Sequence, residues 1–96
     1  MSIPFTQYLR PHGRPTPVTI DMPDEIEDMA EAFIGRGGSF ECEALAYGNM
    51  VSLTACFPTP HGQDDIAIEV VTNGPEVPAA VERLVRKAHA YKPDKR

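Results

Sequence analysis

Residues 39–57, SFECEALAYGNMVSLTACF, limit the possible folds more than any other part of this chain. Two apolar-rich runs flank Gly48-Asn49, a dipeptide whose residues both tolerate positive φ and therefore suit a two-residue hairpin loop. With that loop Tyr47 opposes Met50, and the pairing runs outward until Phe40 meets Phe57. Side chains alternate along a strand. One face then collects Phe40, Cys42, Ala44, Ala46, Val51, Leu53, Ala55 and Phe57. The other collects Glu41, Glu43, Leu45, Tyr47, Met50, Ser52, Thr54 and Cys56. A one-residue slip would mix the two sets, so turn and pattern specify the same register. Cys42 and Cys56 fall on opposite faces, which bars a disulfide between them.

The remaining elements can be placed around this hairpin. Residues 4–22 read as an earlier hairpin, with an irregular tip over 11–17 that carries Pro11, Gly13, Pro15 and Pro17 and is flanked or lined by Arg10, His12 and Arg14. Prolines interrupt a hydrogen-bond ladder, so one of these two strands is expected at a sheet edge. Ile26, Met29, Ala30, Phe33 and Ile34 follow the i, i+3, i+4, i+7, i+8 spacing of an amphipathic helix. Pro23, Asp24 and Glu25 suit its first turn, and Gly35, Gly37 and Gly38 its exit. A loop over 58–65 is expected to lead into a fifth strand over 66–72. There Ile66, Ile68 and Val70 share one face, and Ala67, Glu69 and Val71 the other. Asn73-Gly74-Pro75-Glu76 announces a second helix, with Asn73 or Gly74 as cap and Pro78 held in the first turn near Val77. Its stripe is Val77, Ala80, Val81, Leu84, Val85 and Ala88. The order ββαβββα predicts a two-layer α+β sandwich, with a mainly antiparallel sheet and both helices on its apolar face.

At 96 residues the chain is expected to form a single domain over 1–96 with one modest core, and residues 92–96 to fray. It opens with no charged-then-apolar leader and contains no apolar run that spans a bilayer, so a cytoplasmic protein with reduced cysteines is expected. The net charge of −5 disfavours a phosphate-backbone partner.

Little in the sequence points to catalysis. His and Cys are scattered at positions 12, 42, 56, 61 and 89 without paired ligand spacing, and His61 with Asp64 and Asp65 is the nearest approach to a metal site. No metal or cofactor is expected. Cys42 belongs to the core face. Cys56 faces Glu41, whose charge raises a thiol pKa and so works against a nucleophile. Gly35-Arg36-Gly37-Gly38 follows a helix, whereas phosphate-binding loops precede one. The expectation is a non-enzymatic interaction protein.

Two surfaces are candidates for that interaction. The first helix carries Asp24, Glu25, Glu27, Asp28 and Glu31 with no base until Arg36. Its like charges at i, i+4 each oppose the helix by about 0.2–0.5 kcal/mol. A solvated face explains such a run; a negative stripe at Glu27, Asp28 and Glu31 for a basic partner also does. The second candidate is the outer sheet face, where Leu45, Tyr47, Met50 and Val71, with Tyr8 near them, sit among Glu41, Glu43 and Glu69. That mixture resembles a protein–protein contact, with a homodimer among the candidates; alternatively Tyr47 and Met50 simply clasp the turn. The alternative function is nucleic-acid binding through the basic 10–14 tip and the C-terminal helix and tail, which carry Arg83, Arg86, Lys87, Lys92, Lys95 and Arg96.

Three segments, PFTQYLRPHGRPTPVTI, FECEAL with VSLT, and DIAIEVVTNGPEVPAAVERLV, resemble small phage- and prophage-encoded proteins of unknown function. The resemblance spans nearly the whole chain and carries no catalytic signature or site residues. It implies a phage-related cytosolic accessory protein, and small phage proteins often act by binding host machinery.

Overall fold

Five strands and two helices form in the predicted order: β1 (Ser2–Leu9), β2 (Arg14–Asp21), α1 (Asp24–Gly35), β3 (Ser39–Ala44), β4 (Met50–Thr59), β5 (Gly62–Thr72) and α2 (Val77–Ala90). The computed structural model describes residues 2–9, 14–45 and 48–92. Strand order is β2-β1-β3-β4-β5. β1 and β3 run parallel and every other neighbouring pair antiparallel, so this is an α+β fold with a mixed sheet.

Both helices lie on one face of that sheet, and their apolar stripes close a single core. Ile26, Ala30 and Phe33 of α1 join Ala80, Val81, Leu84, Val85 and Ala88 of α2 over Ile3, Phe5, Phe40, Cys42, Val51, Leu53, Ala55, Ala67 and Val71. Phe33 is fully buried at the centre, its ring 5.2 Å from that of Phe40 and 5.8 Å from that of Phe57. Its helix ends just beyond it in a tight exit. The Gly38 N–H donates to Phe33 O at 3.1 Å and the Gly37 N–H to Ile34 O at 2.9 Å, with Gly37 at φ 104°. This pair of bonds satisfies the last carbonyls of the helix and needs a residue at ease with positive φ.

The central hairpin keeps the predicted faces but not the predicted loop. Phe40 pairs with Ala55, Cys42 with Leu53 and Ala44 with Val51, a register displaced by two residues. Two is an even shift, so every described side chain keeps its face. The Leu45 N–H donates to Met50 O at 3.0 Å, so Met50 answers Leu45 and not the position expected of a two-residue loop. A two-residue loop of the predicted kind needs positive φ at both Gly48 and Asn49; among the described residues only glycines have it. Asn49 instead ties this loop to the end of β5. Asn73 N–H donates to Asn49 O at 2.6 Å, and Asn49 Nδ2 donates to Asn73 O at 3.2 Å.

Three further expectations are corrected. Arg14, Pro15 and Pro17, assigned to an irregular tip, belong to β2, with Leu9 opposite Arg14 and Tyr8 opposite Pro15. The edge strand expected among the first two is β2, and the ladder accommodates these prolines because β2 has no described neighbour on its far side. Arg10 and His12 lie outside the described residues. Residues 58–65 do not form a loop: β4 continues to Thr59 and β5 begins at Gly62, so Pro60 and His61 make the turn, with Gly62 at φ 138°. A register shift beside Ala55 and Cys56 takes up one residue of β5. The N-cap of α2 is Glu76 rather than Asn73 or Gly74, and Pro78 does occupy its first turn. The tail beyond Lys92 lies outside the described residues.

Candidate outer-face site

No described element covers the second face of the sheet, and the strand registers define what stands on it. One row runs Thr6, Glu41, Thr54, Ile68; the next runs Glu43, Ser52, Val70. Leu45, Met50 and Thr72 close the end nearest Gly48 and Asn49, where Thr72 Oγ1 donates to Met50 Sδ at 3.6 Å. Glu43 is exposed, while Glu41, Leu45 and Met50 are half-buried. The predicted outer-face residues Glu41, Glu43, Leu45 and Met50 are thus brought together. Tyr47 lies outside the described residues.

The most exposed apolar groups on this face are ones the sequence did not assign to it. Ile68 and Val70 are 52% and 51% exposed. Val71, expected outside, is buried opposite Val51, and Glu69, expected beside it, turns toward α2. Alternation along β5 forces the exchange: once Val71 enters the core, Glu69 must share its side. That side is tolerable for a carboxylate because Lys87 Nζ reaches Glu69 Oε2 at 2.8 Å and Arg83 Nε reaches Oε1 at 3.1 Å. The Lys87 hydrogen bond, seconded by Arg83, holds the Glu69 carboxyl below its ordinary pKa. The readable signal was on the helix, where Arg83 and Lys87, four residues apart, present two cations to one inward acid.

The acidic helix also divides. Asp28 and Glu31 are exposed as predicted. Glu27 is not part of a solvated stripe: it is 6% exposed, and its Oε2 accepts the Ser2 N–H at 2.5 Å. It faces β1 because position 27 precedes Ala30 and Ile34 on the same side of the helix. The cations of α2 are engaged with acids of the chain itself, Arg83 and Lys87 with Glu69 and Arg86 with Glu82 at 3.1 Å.

Neither cysteine is suited to nucleophilic chemistry. Both are free and buried. Cys42 lies in the core, where burial raises its pKa. Cys56, on the opposite side of the sheet, is 3% exposed, and its thiol donates to Asp65 Oδ1 at 3.4 Å. Burial first, then that hydrogen bond and the charges of Glu41 and Asp65, push its pKa up to about 12. Native protein at pH 8 should therefore leave Cys56 unmodified by iodoacetamide, while denatured protein reacts at both thiols. An unfolded thiol ionises near its ordinary 9.0 and the native one does not. Stability should accordingly fall as pH rises from about 9 toward 12. Rapid Cys56 alkylation of folded protein at pH 8, read by peptide mass spectrometry, would contradict this.

Among the described residues no group of three His, Cys, Asp or Glu side chains is placed to hold a metal ion, and no helix is long and apolar enough to cross a membrane. Comparison with protein-family models, curated proteins and solved structures finds no match for this chain.

Proposed function

We propose that this chain is a non-enzymatic interaction protein whose binding surface is the outer face of its sheet. The observation that carries the reading is the pair Ile68 and Val70, half exposed on a face that no described element covers. Met50 stands diagonal to Val70 on the neighbouring strand and Leu45 one strand further, while Glu41 and Glu43 share the rows of Ile68 and Val70 across Thr54 and Ser52. Exposed apolar groups with acids on the same face are a composition found at protein contacts. Two copies apposed through this face would gather Glu41 and Glu43 of both copies into one interface, which like-charge repulsion opposes. The fitting partner is a different protein with an apolar patch rimmed by Lys or Arg. The resemblance to phage and prophage proteins supports looking for it among host or phage proteins in the cytoplasm.

The test compares proteins retained by tagged wild type with those retained by Ile68→Glu, Glu43→Lys and Asp28→Lys. All three sites are exposed, so each variant should melt within about 0.5 kcal/mol of wild type. Ile68→Glu and Glu43→Lys should both lose a partner that Asp28→Lys keeps. Retention by the first two with loss by the third would move the binding surface to α1.

A further inference from the structure

The side of α1 that faces the start of β1 leaves a groove of about 290 Å³. Its walls are the helix ridge Glu27, Ala30, Glu31 and Ile34, set against Ser2, Ile3 and Pro4. It is separate from the outer sheet face. Glu27 forms part of its floor, nine-tenths buried, with Oε2 held by the Ser2 N–H. Its other oxygen, Oε1, is closed off and has no hydrogen-bond partner among the described residues. A buried carboxylate oxygen without a donor is rare and unfavourable, so a group that supplies the donor is favoured at this place.

We propose that this groove binds a primary ammonium carried on an unbranched apolar stem. The ammonium supplies donors and positive charge to Glu27, and a partial turn of the soft terminal torsion of the glutamate, which loosens the Ser2 contact, brings the unpaired oxygen round to meet it. Glu31, one turn along and exposed, adds a second negative charge at the rim. The stem lies along Ala30 and toward Ile34, which is 38% exposed at the apolar end. From residue 27 to residue 34 the helix rises about 10 Å, enough for a chain of four or five methylenes. A neutral donor would leave the Glu27 and Glu31 charges uncompensated. A bare cation would leave the apolar walls wet.

Two sources carry this chemistry, a free aliphatic amine and a lysine side chain, and one titration separates them. Methyl and amide signals of Ile3, Ala30 and Ile34 are followed by NMR with n-pentylammonium, with Nα-acetyl-lysine N-methylamide, and with n-pentanol and ammonium chloride as controls. Saturable shifts are expected with at least one of the two amines, with a Kd on the order of 1–10 mM. Neither control should saturate in that range. Glu27→Gln should weaken binding at least about tenfold. Glu31→Lys tethers an ammonium over the groove from an exposed position and should abolish binding with an otherwise native spectrum, which covers the case in which Glu27→Gln does not fold. Absence of saturable shifts with both amines, equal shifts with n-pentanol, or undiminished binding by Glu31→Lys would overturn the proposal.

Discussion

Phe33→Ala should destabilise the protein by about 3–5 kcal/mol, a large share of the roughly 5–15 kcal/mol that holds a domain folded. The ring is fully buried, lies between Phe40 and Phe57, and carries the Arg36 guanidinium 5.8 Å from its centroid. Phe40 in turn packs on Phe5 at 5.4 Å, and Phe57 on Tyr91 at 5.5 Å. Removing the middle ring opens a cavity where α1 meets the sheet, and the flanking rings cannot close it without moving their strands. Thermal melts should fall by roughly 15–30 °C. A loss below about 1 kcal/mol would mean that these aromatic rings do not form the joint between helix and sheet.

The second large effect is expected from adding one methyl group. A Cβ at Gly38 would sit 2.3 Å from Phe33 Cε2 and 2.4 Å from its Cζ. Its backbone is not in the positive-φ region, so the whole effect is steric. Gly38→Ala should destabilise by about 2–3 kcal/mol as Phe33 is driven from its seat. Because the two residues meet directly, the effects should not add. In a Phe33→Ala background Gly38→Ala should fall below about 1 kcal/mol. Equal effects in both backgrounds, measured by urea titration, would show that the ring is not what the methyl strikes.

Where sequence and structure agree, period and chemistry pointed the same way. The apolar stripes of both helices survive because each has one greasy side and one charged side, except that Ile34, expected in the first stripe, is exposed at the helix end. The hairpin faces survive a wrong loop because the displacement was even. Leu53 and Val51 are buried whether they oppose Ala44 and Ala46 or Cys42 and Ala44. The misread places are those where long-range pairing outranked local signals. Prolines at 15 and 17 mark irregular backbone in isolation, yet an edge strand leaves one side of its ladder unused. Gly62 ends the β4–β5 turn rather than lying in a long loop, because β4 and β5 pair well past the last apolar residue. Val71 and Ile68 are equally apolar, so composition could not say which faces the core; pairing of Val71 with Val51 and the cations above Glu69 decided it. Glu27 looked like one more member of an acidic run. Only its place on the ridge over Ser2 buries it.

The measurement that most directly tests the one-sided packing uses a soluble gadolinium chelate added to methyl-labelled protein. With one face buried under both helices and the other open, the Ile68 and Val70 methyls should broaden strongly, while those of Ile3, Leu53, Val81 and Leu84 stay sharp. Ile68 and Val70 as well protected as Leu53 would contradict an open outer face and the binding surface built on it.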